Sequence, residues 1–167
     1  MKKKIVSFPC TVKFAKVFPR NMDIGGDENE ITQMIAKRGG LYVIDCYPDD
    51  PEAFIRDCTE KGVNLHPMGN EFIKKNEQGV YVQLKRYHNP PLDKDGAPIA
   101  EFGYAPKVVD ADGNPWDEDV NIGNGSECEV AFDVWGKGWT KLRAIKVNNL
   151  VEYTPDSVDP SIAWALT

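Results

Sequence analysis

Two short stretches of the sequence combine aromatic rings with positive charge. Residues 80–87 alternate between apolar and polar side chains, which places two tyrosines and Lys85 on one face of a β-strand. Further along, Trp135 and Trp139 bracket a Gly-Lys-Gly hairpin turn. Flat rings can stack on unpaired bases, each stack contributing about 1–3 kcal/mol, and lysine and arginine attract phosphates. The two stretches therefore predict a surface that binds a single nucleic-acid strand.

The distribution of charge agrees with that prediction, although the net charge is −6. Residues 1–20 contain six basic residues and no acid, and residues 135–151 contain four and no acid. Because salt screens charges beyond about 8–10 Å, the local sign matters more than the sum. The alternatives are a chance placement of basic strand ends and tryptophan rings folded back onto the protein. The residues predicted to contact nucleic acid are Tyr81, Lys85, Arg86, Tyr87, Trp135, Lys137, Trp139, Lys141, Arg143 and Lys13, with Phe102 and Tyr104 as a candidate extension.

Catalytic chemistry has little support in the sequence. Five carboxylates between Asp110 and Asp119 form the densest acidic cluster, but they sit among turn residues without histidine or lysine. The four cysteines are scattered without a CxxC pair, and the two histidines lie far from them, so we expect free thiols rather than a zinc site. We therefore predict a protein that is not an enzyme and has no cofactor or metal. A metal-dependent nuclease built on the carboxylates is the alternative.

The order of the elements indicates one mainly β domain. About five β-rich segments and one helix are visible, with long loops early in the chain and short hairpins late. The Asp-Asp-Pro step at residues 49–51 can cap a helix over about residues 50–62, whereas residues 29–37 suggest a short helical turn. Because helices do not alternate with strands, we predict a small antiparallel barrel of the OB type. The alternation of the last strand slips near Ala144, which predicts an irregularity there.

Three segments, taken in order, resemble a known family. They are LYVIDCYPDDPEAF, KVVDADGNPWDEDVNIGNGSECEVAFDVW and TKLRAIKVNNLVEY, at residues 41–54, 107–135 and 140–153. Their order resembles that of the single-stranded DNA-binding proteins of tailed bacteriophages. The shared features are a strand that enters a helix through an Asp-Pro step, a Gly-x-Gly-Ser corner, an aromatic hairpin and a last strand that ends in Leu-Val-Glu. These proteins form the OB-fold group typified by the proteins of T7-like phages. The resemblance runs from about residue 3 to residue 155.

The resemblance implies sequence-tolerant binding of single-stranded DNA in phage DNA replication and recombination. It assigns the DNA contacts to residues 81–87 and to the hairpin that carries Trp135 and Trp139. It also implies contacts with phage replication proteins in the cytoplasm of the infected bacterial host, and homo-oligomers are compatible with the sequence. An OB-like adaptor that binds a protein of a phage replication or assembly complex is the alternative.

The resemblance also sets the expected boundaries. Residues 1–155 are expected to form the OB-fold domain and residues 156–167 a C-terminal tail. Family members commonly end in a long acidic tail, and here only two aspartates lie near the end, so we expect either that the tail has been removed or that this member lacks one. No apolar run is long enough to span a membrane, and no apolar stretch follows the N-terminal lysines, so we expect an intracellular protein.

Overall fold

The computed structural model describes residues 3–152, and the predicted tail at residues 156–167 lies outside this range. Within residues 3–152 the chain forms seven β-strands and two α-helices. The strands are β1 (Lys4–Lys16), β2 (Leu41–Pro48), β3 (Lys74–Asn76), β4 (Gly79–Tyr87), β5 (Lys107–Asp110), β6 (Ser126–Trp135) and β7 (Trp139–Asn149). The helices are α1 (Glu30–Lys37) and α2 (Pro51–Glu60). Neither helix is long and apolar enough to cross a lipid bilayer.

Both helices begin at side-chain caps that the sequence encodes. Asp50 accepts a hydrogen bond from the backbone N–H of Ala53 at 3.1 Å, and Pro51 occupies the first turn of α2, so the predicted helix is confirmed. At α1, Asn29 and Thr32 cap each other's backbone N–H groups. This reciprocal cap turns the expected short turn into a full second helix, which corrects the prediction of one helix.

The strands lie in one sheet of order β3-β4-β2-β1-β6-β7-β5. Antiparallel pairs join β1 to β2 and β6, β2 to β4, and β6 to β7. These five strands form a partly open Greek-key barrel of the OB type, so the predicted fold class is confirmed. Two details differ from a closed antiparallel barrel. No backbone pairing joins β4 to β7 in the described chain, and the short β5 runs parallel to β7.

The core fills the inside of this barrel. Alternate residues of β1, β2, β4, β6 and β7 point inward and are almost fully buried. Helix α2 covers one end, where the Phe54 ring lies 4.3 Å from Phe8 and 6.3 Å from Phe132, measured between centroids. The four cysteines are buried as free thiols within this core, as expected. Burying such rings stabilises the barrel by roughly 1.5–3 kcal/mol each.

The last hairpin contains the predicted irregularity. The register between β6 and β7 shifts between Ala131 and Phe132, so that Arg143 has no direct partner on β6. The bulge therefore lies one residue before the position where the alternation slips, and the prediction is confirmed. Its consequence is that Leu142 and Ile145 both point inward while Arg143 stays exposed.

Candidate nucleic-acid interface

The structure brings the two predicted stretches together where β4 and β7 lie side by side. Trp135 and Trp139 are direct cross-strand partners at the base of the β6–β7 hairpin. Beside them, two adjoining cavities of about 390 Å³ and 470 Å³ share Lys85, Tyr87 and Thr140. We call this continuous depression the seam cleft, because it lies over the open seam of the barrel. It is lined by residues of both predicted stretches.

The first cavity of the seam cleft extends toward the loop after α2. Its walls include Trp139, Phe72 and Met68, with Lys74 at one side and Glu71 as its acid. Trp139 is 39% exposed and Met68 is 86% exposed. Large apolar side chains exposed in one depression are typical of a binding surface rather than of scattered surface residues.

The second cavity, which we call the Phe102 pocket, lies on the other side of Lys85 and Tyr87. Trp135, 37% exposed, has its ring centroid 5.1 Å from that of Phe102 at an interplanar angle of 55°. Across the pocket, the guanidinium carbon of Arg38 lies 4.5 Å from the Tyr87 ring centroid. The pocket is lined by Arg38, Lys85, Arg86, Tyr87, Pro91, Ile99, Phe102, Trp135, Thr140 and Lys141, none of which is an acid.

The position of the tryptophan hairpin is fixed by a backbone contact. The carbonyl of Gly138 accepts a hydrogen bond from the N–H of Asn64 at 2.9 Å. Gly138 has φ +93°, and a Cβ atom there would lie within 3.0 Å of backbone atoms of residues 62–64. Only glycine allows this approach without strain. The loop after α2 therefore holds the hairpin, and with it both indole rings, against the barrel.

Arg86 closes the seam from the inside. Its guanidinium donates to the carbonyls of Gly103, Tyr104 and Leu142, the last at 3.1 Å. The bond to Leu142 joins β4 to β7 where the backbones do not pair, and the other two tie down the loop between β4 and β5. Burial lowers the pKa of Arg86 below its ordinary value, with smaller opposing and supporting contributions from neighbouring charges. Arg86 thus lines the seam cleft with its donors already engaged.

Lys141 and Arg143 share one buried carboxylate. Asp133, 1% exposed, lies 3.3 Å from the Nζ of Lys141 and 2.8 Å from the Nη1 of Arg143. Lys141 is 7% exposed, also donates to the carbonyl of Glu101, and lies 4.3 Å from the Phe102 ring centroid. Burial lowers the pKa of Lys141, although Asp133 acts in the opposite direction. These two cations have protein partners, and their contact with DNA stays a prediction.

Lys85 and Lys137 differ from them. Both are exposed, and neither forms a side-chain hydrogen bond or ion pair with any residue between 3 and 152. Lys85 stands between the two cavities of the seam cleft, and Lys137 is at the tip of the tryptophan hairpin. A free ammonium group at each place is available for a phosphate.

Tyr81 and Lys13 lie at the other end of the same outer face. Tyr81 stacks on Tyr47 with centroids 5.1 Å apart and an interplanar angle of 27°, and the Nζ of Lys13 lies 5.3 Å from the Tyr47 centroid. Lys85 lies four positions after Tyr81 along β4, a distance of roughly 13 Å. We call Lys13, Tyr47 and Tyr81 the tyrosine patch. The structure therefore divides the predicted residues between two places on one face.

Some residues of the interface escaped the sequence analysis. Tyr47, Arg38 and Met68 were not predicted. Of the two residues named as a candidate extension of the surface, Phe102 lines the pocket and Tyr104 does not. The outward position of Tyr47 follows from the alternation of β2, so the sequence contained that signal. Arg38 and Met68 lie in irregular segments, where no periodicity indicates which way a side chain points.

The acidic cluster at residues 110–119 stabilises turns. The Oδ1 of Asp110 accepts from the N–H groups of Asp112 and Asn114, both at 2.9 Å, and Asp117 accepts from Asp119 at 3.0 Å. These are the local hydrogen bonds expected of aspartate in turns. None of the acids at 110–119 lines either cavity of the seam cleft.

The fold and the cleft define the class of structure: an OB-type barrel with a cationic, aromatic cleft beside its open seam. No protein-family model and no curated protein matches this sequence. Among solved structures, gp2.5, a single-stranded DNA-binding protein encoded by bacteriophage T7, is similar with a TM-score of 0.62 and 19% identity, over 95% of this chain and 99% of that one. The single-stranded DNA-binding protein from bacteriophage Enc34 is similar with a TM-score of 0.48 and 13% identity, over 97% of this chain and 89% of that one. The likeness to the T7 protein confirms, at the level of the fold, the resemblance noted in the sequence.

Proposed function

We propose that this protein binds single-stranded DNA, without catalysis and with tolerance of sequence, in phage DNA replication and recombination. The observation that carries the proposal is the seam cleft, where Trp135, Trp139 and Tyr87 lie around Lys85, which has no side-chain partner among residues 3–152. The likeness of the fold to a protein described as single-stranded DNA-binding supports it. Contacts with replication proteins, homo-oligomers and action in the host cytoplasm belong to the same proposal.

The cleft suits a single strand because its parts match the parts of a nucleotide. Every base has a flat face that stacks on an indole or phenol ring regardless of sequence. Lys85 and Lys137 would take the phosphates between stacked bases, and Lys13 would continue the track at the tyrosine patch. The side chains already engaged within the protein, Arg86, Lys141 and Arg143, would add a positive field beneath the strand.

The stacking part of the proposal is tested by removing the two indole rings. Trp135→Ala together with Trp139→Ala should weaken the affinity for labelled oligo-dT, measured by fluorescence anisotropy, by roughly 2–6 kcal/mol for two stacks. Phe14→Ala is the matched control, because that ring is 62% exposed but does not line the cleft. Equal affinities of the double variant and the control would refute the role of the tryptophans.

The electrostatic part is tested by the salt dependence. For single strands the slope of log K against log salt is about −0.7 for each phosphate neutralised. Lys85→Ala and Lys137→Ala should each make the slope shallower by about 0.7. Lys61→Ala is the control, because Lys61 is paired with Asp57 on α2 at 3.2 Å. A protein adaptor using the same rings would give no salt-sensitive binding of oligo-dT at all, and that result would overturn the proposal.

A further inference from the structure

We propose that the Phe102 pocket receives one base of the bound strand, turned out of the stack and partly buried. This inference rests on the proposed function and deepens it, because it adds a partly enclosed base site to the stacking surface. The pocket has a volume of about 470 Å³, within the range of about 300–1,000 Å³ for sites that enclose small molecules. A nucleobase with its sugar belongs to that size class.

The walls of the pocket suit the faces and edges of a base. Trp135 and Phe102 form one side and Tyr87 lines the pocket with them, while Ile99 and Pro91 complete the apolar lining. Because the Trp135 and Phe102 rings contact each other at a centroid distance of 5.1 Å with their planes inclined by 55°, they present an angled corner to a base rather than one flat platform. Flipped bases are held in this way, between aromatic and apolar side chains.

The charges fix the orientation of the occupant. Four cations and no acid line the pocket, so an occupant with negative charge next to an aromatic ring is favoured over a neutral apolar one. Lys141 lies under the Phe102 ring and Arg38 over the Tyr87 ring, and Arg86 is engaged with carbonyls. Lys85 is the exposed cation without a partner among the described residues. The base therefore enters the pocket while its phosphate stays on Lys85.

The pocket is formed before any ligand binds, because its outer wall is tied to the barrel. The loop from residue 88 to 106 supplies this wall. Arg38 donates to the carbonyl of Asn89 at 3.1 Å, and the N–H of Ile99 donates to the carbonyl of Pro91 at 2.9 Å. Lys141 holds the carbonyl of Glu101, and Arg86 holds the two carbonyls that follow Phe102. A preformed pocket lets the base bind without the loss of entropy that ordering a loop would cost.

The proposal is tested with a variant whose new side chain fills the pocket. Ile99→Trp places an indole in the cavity and should weaken binding of oligo-dT by about tenfold, the equivalent of one lost stack of roughly 1.4 kcal/mol. Leu92→Trp is the matched control, because Leu92 is 64% exposed in the same loop and does not line the pocket. The control should bind within about twofold of the wild type. Equal affinities of the two variants would overturn the inference.

Phe102→Leu provides a second test of the pocket, which applies even if Ile99→Trp does not fold. Phe102→Leu keeps an apolar wall but removes the ring, so it should weaken binding by about fivefold or more. A single 2-aminopurine in a short oligo-dT should be more strongly quenched when bound at saturation by the wild type than by Phe102→Leu. Equal quenching by the two proteins would refute the pocket while the proposed function stands. A wild-type protein that binds no oligo-dT would instead refute the proposed function.

Discussion

Gly138 lies at the contact between the tryptophan hairpin and the loop after α2, and we predict that any side chain there is destabilising. Gly138→Ala introduces a Cβ at φ +93° and within 3.0 Å of three backbone atoms of residues 62–64. The left-handed backbone alone costs an L-residue about 1–2 kcal/mol, and forcing an extra carbon into a packed contact costs about 1–3 kcal/mol more. Backbone atoms cannot rotate away as a flexible side chain can, so the hairpin must move.

The expected result has two parts. The free energy of unfolding in urea should fall by about 2–5 kcal/mol, the sum of those two costs. The affinity for oligo-dT should fall as well, because the hairpin that moves carries Trp135 and Trp139, and the loss of the hydrogen bond from Asn64 leaves them unsupported. Binding is measured at a urea-free condition where circular dichroism shows the variant to be folded.

Gly136→Ala is the matched control within the same turn. It also has a positive φ, of +55°, but a Cβ there meets a side-chain atom of Trp139 at 3.4 Å rather than backbone. It should therefore cost only the conformational part, about 1–2 kcal/mol, and leave the hairpin in place. If Gly138→Ala is no more harmful than Gly136→Ala in both assays, the hairpin is not held by this contact and the reasoning is wrong.

Two further predictions concern the seam and the core. Arg86→Met should lower the free energy of unfolding by about 3–5 kcal/mol, because it leaves partly buried carbonyls without donors. It should also make the loop at residues 88–106 sensitive to proteolysis. An unchanged urea midpoint and an unchanged proteolysis rate of the loop would contradict the bridging role of Arg86. Burial raises the pKa of Cys58 and Cys128 from 9.0 to about 12, so above pH 9 the unfolded thiols lose protons that the folded ones keep, and stability falls with rising pH. Replacing Cys58 by alanine should reduce the slope of unfolding free energy between pH 9.5 and 11 by about 1.4 kcal/mol per pH unit, measured by urea denaturation, and an unchanged slope would show that this thiol does not contribute.

The regular elements could be predicted because short-range patterns determine them. The alternation along β4 places Tyr81, Lys85 and Tyr87 outward and Val82 and Leu84 inward, as the sequence indicates. The cap and proline before α2 give its start within a residue. Even the bulge in β7 can be seen, because one extra residue moves the apolar positions by one place.

The parts that were missed depend on partners distant in sequence. Helix α1 is the exception, because its capping residues Asn29 and Thr32 are three positions apart and the sequence contained that local signal. Strand β5 has four residues and gains its pairing from β7, more than thirty positions later, so its parallel direction has no local signal. The bridge from Arg86 to Leu142 spans 56 positions and replaces a strand pairing that the pattern of either strand would lead one to expect.

The sequence likewise does not indicate which basic residues are paired within the protein and which are free to bind phosphates. Lys85, Lys137 and Lys141 are all lysines of outward strand or turn positions, yet Lys141 is buried on Asp133 and the other two are free within the described chain. The difference arises because the loop around Phe102 covers Lys141 and the outer face of β6. Charge counted along the chain therefore overestimates the number of phosphates that the protein can neutralise.

This distinction changes what the salt dependence should report. A cation already paired with a carboxylate releases few counterions when a phosphate approaches, because its charge is compensated before binding. Arg143, paired with Asp133 at 2.8 Å, shares that one carboxylate with Lys141, so the two cations together keep about one uncompensated charge and should contribute less to the slope than Lys85 and Lys137 do. The clustering of basic residues along the sequence indicates which face of the protein binds DNA. The ion pairs beneath the Phe102 pocket determine which of those basic residues are available to DNA phosphates.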